Sequence, residues 1–173
     1  MINKGLIKYI ISFFAYTLLQ VIVFKNIVLF DKGFCFLYIA FLLLLPIETN
    51  IIWLMFLGFI TGFTVDIFYN SLGIHASASV LIMFVRNYWL NLLTPQGGYD
   101  QGDSPTIRLN GWQWFGIYAL PLIFLHHAVL FFVESASFNL FGFTLSKIFF
   151  STVFTFIVIL IIQYLFYNKQ KRI

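Results

Sequence analysis

Long apolar runs constrain this chain more than any other feature of its sequence. The 173 residues are 61% hydrophobic and only 9% charged, whereas soluble domains carry roughly 25% charged residues. A run of about 20 apolar residues is long enough to cross a bilayer as a helix. The sequence therefore predicts an all-α integral membrane protein with six transmembrane helices. The predicted spans are Leu6–Phe24, Phe34–Ile47, Ile51–Tyr69, Leu72–Leu93, Trp114–Val133 and Thr144–Tyr167.

The connections between these spans differ in length. The second span is the shortest and ends at Pro46, which disfavours a helical residue before it, while Glu48 indicates a return to water. Only Asn70 and Ser71 separate the third and fourth spans, which predicts a tight helical hairpin. The chain is thus predicted as a single six-helix domain, residues 1–173, with one long loop at 94–113. That loop is either functional or a solvated linker.

The positions of the basic residues predict the orientation in the membrane. Cytoplasmic ends of spans carry an excess of Lys and Arg. With the N-terminus and C-terminus both inside, seven basic residues fall inside and three outside, and the loop 94–113 is cytoplasmic. Because these residues lie at helix ends rather than in one cluster, the net charge of +4 does not indicate nucleic-acid binding. The inside set is Lys4, Lys8, Arg86, Arg108, Lys169, Lys171 and Arg172, and the outside set is Lys25, Lys32 and Lys147.

Asp66 is an acidic residue in an otherwise apolar run. A carboxylate at the centre of a membrane helix costs roughly 2.5 to 3.5 kcal/mol even on lenient scales. Gly58, Gly62 and Asp66 recur every four residues and share one helix face, on which glycine permits close approach of a neighbouring helix. The hairpin would bring Ser71, His75 and the free amides of the fourth span to Asp66. The sequence predicts either a staple of the hairpin or a protonation or ion-coupling site.

The remaining polar residues of the spans give weaker signals. Arg86 is predicted to extend to the cytoplasmic headgroups. His127 and Glu134 share a face of the fifth span, beside His126, but lack a third ligand at metal-site spacing. No nucleophile motif, phosphate loop or zinc pair is present in the sequence. We therefore expect no metal, no cofactor and no enzymatic activity.

One stretch resembles a known family. Gly58-Phe59-x-x-Gly62-x-x-x-Asp66, followed by Leu72-Gly73-x-His75-Ala76, is similar to the signature of the rod shape-determining protein MreD family. Pro46 at the end of the second span and Glu134 at the end of the fifth agree with this family. The segment 94–99, with its Thr-Pro-Gln-Gly-Gly-Tyr sequence, is similar to the Bacteroidetes-type branch. His75 is a departure, because family members often have another residue there.

The resemblance implies a non-enzymatic scaffold of the cell-elongation complex in the bacterial cytoplasmic (inner) membrane. Such a protein binds MreC, a bitopic periplasmic coiled-coil protein, and through it supports the peptidoglycan polymerase and transpeptidase of elongation, together with MreB. The family is also thought to share the fold of the substrate-binding subunits of energy-coupling vitamin transporters, so a transporter subunit is the alternative function. A lipid-intermediate flippase is a third, weaker option. The structural or partner-binding candidates are Gly58, Gly62, Asp66, Gly73, His75 and Glu134.

Overall fold

The computed structural model describes residues 4–136 and 140–166. The chain is mainly helical, with one short antiparallel pair of strands, β1 (Val28–Leu29) and β2 (Gly33–Phe34), after a 3-10 turn at Phe24–Asn26. The helices are α1 (Lys4–Ile22), α2 (Ile39–Leu43), α3 (Ile51–Tyr69), α4 (Ile74–Leu92), α5 (Ile107–Ser135) and α6 (Phe141–Leu165). Tyr167, Lys169, Lys171, Arg172 and the side chain of Lys4 lie outside the described residues.

Four helical stretches of the described chain are long and apolar enough to cross a membrane. They are Gly5–Asn26, Ile51–Tyr69, Ile107–Ser135 and Phe141–Leu165. Helix α4 is as long as α3 but is more polar, because it contains His75, two serines and Arg86. These lengths and compositions indicate a multi-pass membrane protein, as the sequence predicts.

The prediction of a second spanning helix at Phe34–Ile47 is wrong. Its only helical part is α2, which has five residues, and the chain before α2 is not helical. Every residue from Cys35 to Leu43 is at most 4% exposed. Irregular backbone at membrane depth is tolerated only where protein surrounds it. A long apolar run therefore fills the interior of the helix bundle here instead of forming a helix that faces lipid.

The helices define two ends of the bundle. We call the end at Tyr69 and Ile74 the hairpin end, and the opposite end the loop end. Gln20 near the end of α1 donates to Tyr69 Oη across 2.6 Å at the hairpin end. At the loop end, the Ile107 amide donates to Gln163 Oε1 across 2.9 Å. Helices α1, α3 and α5 therefore run towards the hairpin end, and α4 and α6 run back.

The other predicted boundaries differ from the structure mainly at α5. This helix begins at Ile107 rather than Trp114, so the predicted loop 94–113 is wrong for its last seven residues. The Thr106 hydroxyl accepts a hydrogen bond from the Leu109 amide and caps the first turn. Gly111, with φ of 82°, then kinks the helix. The predicted loop is too long for two reasons. Gly and Pro are frequent before the kink, and the kink interrupts the helical periodicity of the apolar residues.

Candidate functional site

Asp66 caps the first turn of α4 from the last turn of α3. Its Oδ1 accepts hydrogen bonds from the Ser71 hydroxyl (2.6 Å) and the His75 amide (3.0 Å). Its Oδ2 accepts from the Ala76 amide across 2.9 Å. The first amides of a helix have no partner within the helix, and they attract negative charge. The staple that the sequence predicts is therefore present as a set of contacts, with Asp66 only 4% exposed.

The turn between α3 and α4 is built from two left-handed residues. Asn70, with φ of 56°, ends α3, and its amide donates to Asp66 O. Gly73, with φ of 84°, immediately precedes α4. A left-handed residue is favourable for glycine and tolerated by asparagine, and it reverses the chain within a few residues. This turn places the amides of α4 against the Asp66 carboxylate.

Gly62 and Gly58 allow α3 and α4 to pack closely below this cap. A Cβ built on Gly62 would lie 2.5 Å from Ala76 Cα and from His75 O, so only glycine fits there. A Cβ on Gly58 would lie 3.0 Å from Met83 Cγ and from Ser79 O. The small-residue face predicted from the four-residue spacing is thus the contact between these two helices.

His75 takes part in the cap through one ring nitrogen. Its Nδ1 lies 3.0 Å from Asp66 Oδ1 and 2.9 Å from Ser71 Oγ, while its Nε2 is buried without a hydrogen-bond partner. A nucleophile triad needs the acid and the hydroxyl on opposite ring nitrogens. Here Asp66 and Ser71 face the same nitrogen. The cluster is therefore suited to hydrogen bonding rather than to nucleophilic attack.

An apolar groove runs along the side of this hairpin. It has a volume of about 840 Å³ and lies between α3 and α4. Phe59, Phe63 and Ile67 of α3 line it together with Leu81 and Phe84 of α4, and all five are at least one third exposed. Its end is formed by the capped turn. We call this surface the hairpin groove.

The buried chain from Gly33 to Pro46, which we call the central segment, receives its hydrogen bonds from side chains of other helices. The Phe34 amide donates to Ser151 Oγ (2.9 Å), and the Phe36 amide donates to Thr155 Oγ1 (3.0 Å). Gln20 of α1 donates to Cys35 O across 3.0 Å. Side chains here replace the hydrogen bonds that a helix would make within itself.

Arg86 holds the other part of the central segment, and the prediction that it extends to the headgroups is wrong. It is completely buried. Its guanidinium donates to Leu45 O, and its Nε donates to Tyr118 Oη across 2.8 Å. Tyr118 Oη in turn donates to Leu43 O across 2.8 Å. Arg86 is therefore bound inside the bundle by a backbone carbonyl and the Tyr118 hydroxyl, away from the membrane surface.

The two neighbouring histidines of α5 also face the central segment. His126 Nε2 lies 2.6 Å from Tyr38 Oη. His127 Nδ1 lies 2.6 Å from Ile123 O, and its Nε2 lies 3.3 Å from Thr155 Oγ1. Within residues 4–136 and 140–166, no three His, Cys, Asp or Glu side chains are grouped as metal ligands. These histidines are packing and hydrogen-bonding groups of the interior.

The structure brings together most of the residues singled out in the sequence. Gly62, Asp66, Gly73 and His75 meet at the capped turn, and Gly58 lies one turn earlier in α3. Glu134 lies elsewhere, where its Oε2 is 3.3 Å from Lys147 Nζ. Sequence reasoning missed the residues that hold the central segment. Their only signal was polarity within apolar runs, including the i, i+4 pair Ser151 and Thr155.

No family model, curated protein or solved structure matches this chain.

Proposed function

We propose that this chain is a non-enzymatic scaffold of the cell-elongation complex in the bacterial cytoplasmic membrane. In this proposal five helices and the irregular central segment cross the membrane, both termini lie in the cytoplasm, and the chain binds the single transmembrane helix of MreC. The observation that carries the proposal is the apolar hairpin groove beside the Asp66 cap. The chain then supports the peptidoglycan polymerase and transpeptidase indirectly, together with MreB.

The hairpin supplies a rigid docking surface. Both carboxylate oxygens of Asp66 are occupied by groups of the turn and of α4, and Gly62 sets the distance between the two helices. A partner therefore meets a preformed groove and loses little conformational freedom from this surface on binding. Small residues at the bottom of the groove, such as Ala76 and Ser77, permit close approach of a helix. An apolar single-span helix is the occupant that best matches these walls.

The sequence supports the proposed orientation, because Lys8, Arg108 and the basic residues that follow α6 in the sequence outnumber Lys25, Lys32 and Lys147. Lys8 and Arg108 line one cleft at the loop end. Lys25 donates to Phe68 O at the hairpin end, and Lys147 lies beside Phe34 there. With the loop end in the cytoplasm, the capped turn faces the periplasmic side, where MreC has its coiled coil.

A vitamin-transporter subunit would need convergent polar groups that are open to a substrate. In this structure, Asp66 is bound by Ser71, His75 and Ala76, and Glu134 is paired with Lys147. Neither carboxylate points to a shared substrate site. The scaffold proposal uses both features of the hairpin, its rigidity and its apolar groove.

Co-purification tests this proposal. The chain is purified from its native membrane in mild detergent, and the associated proteins are identified by mass spectrometry. We expect a bitopic coiled-coil protein together with elongation enzymes. Recovery of a second multi-span protein with a pair of ATPases would instead make the chain a transporter subunit.

A matched pair of variants locates the docking surface. Phe63 is 49% exposed within the hairpin groove, and Phe56 is 50% exposed on the same helix but outside the groove. Phe63 contacts the ring of Phe59, and Phe56 contacts the ring of Trp53, so each loses one aromatic contact within α3. Phe63→Ala should reduce recovery of the bitopic partner several-fold, and Phe56→Ala should not. Equal recovery with both variants would exclude the groove as the docking site.

A further inference from the structure

A second cleft opens at the loop end, far from the hairpin groove. It has a volume of about 640 Å³, within the range of roughly 300 to 1,000 Å³ typical of small-molecule sites. One wall is α1 from Lys8 to Leu19, and the other is formed by the start of α5 and the end of α6. Helix α1 packs on α2 and α3, so the cleft separates it from the α5–α6 pair.

The mouth of this cleft is basic and polar. Lys8 of α1 and Arg108 of α5 line it together with Ser104 and Thr106, and Arg108 also has a partner within the chain. None of the described residues that line the cleft is acidic. Two cations with hydroxyl groups beside them form a favourable environment for a phosphate group.

Gln163 joins the start of α5 to the end of α6 at the wall of this cleft. Its Oε1 accepts from the Ile107 amide across 2.9 Å, which fixes the side-chain amide at the cleft wall. Its Nε2 is buried and has no hydrogen-bond partner. The position of this wall is therefore set by the contact between α5 and α6.

Deeper in the cleft the walls are apolar. Leu19 of α1, Phe41 and Leu44 of the central segment, and Ile162 of α6 line this part. From Lys8 to Leu19, α1 rises by about 16 Å at 1.5 Å per residue. The cleft therefore changes along the membrane normal from cationic and hydroxylated to hydrocarbon-like, as a phospholipid does from headgroup to acyl chain.

We propose that the loop-end cleft is a binding site for an anionic phospholipid. Its phosphate lies between Lys8 and Arg108, and one acyl chain extends along α1 towards Phe41. Basic clefts between membrane helices bind anionic headgroups in this way. This inference does not depend on the scaffold function, because the cleft and the hairpin groove share no lining residue.

A lipid titration tests the headgroup contacts. The full chain is delipidated in detergent and titrated with phosphatidylglycerol or with phosphatidylcholine, and bound lipid is counted by native mass spectrometry. Phosphatidylglycerol should bind more tightly. Each of the variants Lys8→Gln and Arg108→Gln should weaken it by about fivefold, the expected effect of one cation near an anionic lipid. The matched control is Lys25→Gln with Lys32→Gln at the hairpin end, which should leave the affinity unchanged.

A second variant tests the acyl chain separately. Ala15 lines the cleft about one turn before Leu19 and is exposed. Ala15→Trp fills the apolar part and leaves both cations in place, and it should abolish phosphatidylglycerol binding while the helical circular dichroism stays unchanged. Unaltered binding in this variant would overturn the proposal. Three other results would also overturn it. They are equal affinity for phosphatidylcholine, an equal loss of phosphatidylglycerol affinity in the Lys25→Gln, Lys32→Gln control, and displacement of the lipid by an equimolar amount of inorganic phosphate.

Discussion

The α3–α4 hairpin and the central segment both bury backbone polar atoms in apolar surroundings, but they satisfy them differently. In the hairpin, the Asp66 carboxylate binds amides nine and ten residues further along the chain. In the central segment, the Phe36 amide binds Thr155, which is 119 residues away. The hairpin is therefore a locally determined unit, whereas the central segment depends on the assembled bundle.

This difference has a consequence for stability. Damage to α5 or α6 should leave the hairpin contacts intact, because they form within residues 58–83. The same damage should release the central segment, because Ser151 and Thr155 of α6 and Tyr118 of α5 bind its backbone. The variants below compare the two regions.

The largest effect is expected from Arg86→Met. Methionine retains much of the side-chain volume but leaves Leu45 O without its cationic donor, and Tyr118 Oη loses its contact with Nε. Hydrogen bonds to a charged group contribute about 1.5 to 3 kcal/mol each, so we expect a loss of about 3 to 5 kcal/mol. Thermal unfolding in detergent measures it.

Arg86→Lys and Arg108→Met are the controls for this variant. Lysine retains one charged donor and should give an intermediate stability, while Arg108 is exposed and its loss should have a small effect. Burial of a guanidinium is itself unfavourable. If Arg86→Met is as stable as the natural chain, the desolvation cost of the buried guanidinium outweighs its hydrogen bonds. The central segment is then not held by this residue.

Asp66→Ala should give the next largest effect. It removes the acceptor of the Ser71 hydroxyl and of the His75 and Ala76 amides. Loss of an ordinary helix cap costs about 0.5 to 2 kcal/mol, and the additional buried donors raise our expectation to about 3 kcal/mol. Thermal unfolding in detergent gives the loss, and reaction of a cysteine placed at the fully buried Ala78 of α4 with a maleimide reports local opening.

Asp66→Asn separates hydrogen bonding from charge. Asparagine keeps an acceptor oxygen, so the hairpin should lose only about 1 kcal/mol if the cap is a hydrogen-bonding device. The protonation or ion-coupling hypothesis would instead be favoured if Asp66→Asn lost as much stability as Asp66→Ala. It would also be favoured if cells with Asp66→Asn failed to maintain their width while the protein kept its fold.

The sequence predicts the hairpin well because its signals are local. The spacing of Gly58, Gly62 and Asp66 and the short connection at Asn70 lie within one helical pair, and helix periodicity relates them directly to a shared face. The bounds of α3 in the structure are those predicted. The partners of Asp66 also follow from chain proximity alone.

The central segment was not predictable in the same way. Hydropathy does not distinguish a buried irregular run from a spanning helix, since both exclude polar side chains. The residues that satisfy its backbone lie on α1, α4, α5 and α6, so their role becomes visible only when these helices are assembled. The short length of the run and Pro46 were the only local indications of a departure from a regular span.

Gly62→Ala tests whether helix contact in the hairpin is as close as the structure indicates. The new methyl group would collide with the backbone of Ala76 and His75, at 2.5 Å, and the backbone must shift. Overpacking of this kind typically costs about 1 to 3 kcal/mol. Gly58→Ala should cost less, because one of the two atoms at 3.0 Å is Cγ of the flexible Met83 side chain.

Gly116→Ala in α5 is the control for these glycine variants. Its methyl group would contact only Phe156, at 3.8 Å, so the higher helix propensity of alanine should stabilise the chain by up to about 1 kcal/mol. Thermal unfolding ranks the three variants. A Gly62→Ala variant as stable as Gly116→Ala would show that α3 and α4 lie further apart than described.

A smaller effect than that of Arg86→Met is expected from Thr155→Val, which removes the acceptor of the Phe36 amide and the contact with His127 Nε2 without changing side-chain volume much. The buried Phe36 amide would lose its acceptor, which costs about 1 to 2 kcal/mol. Thr152 is the matched control, because it lies on the same helix and its buried hydroxyl has no hydrogen-bond partner. Thr152→Val should be neutral or stabilising. Hydrogen exchange at Phe36 should accelerate in Thr155→Val, while exchange at Ala76 in the hairpin should not change. Equal acceleration at both amides would mean that the two regions open together, and the hairpin would then be no more independent of the bundle than the central segment is.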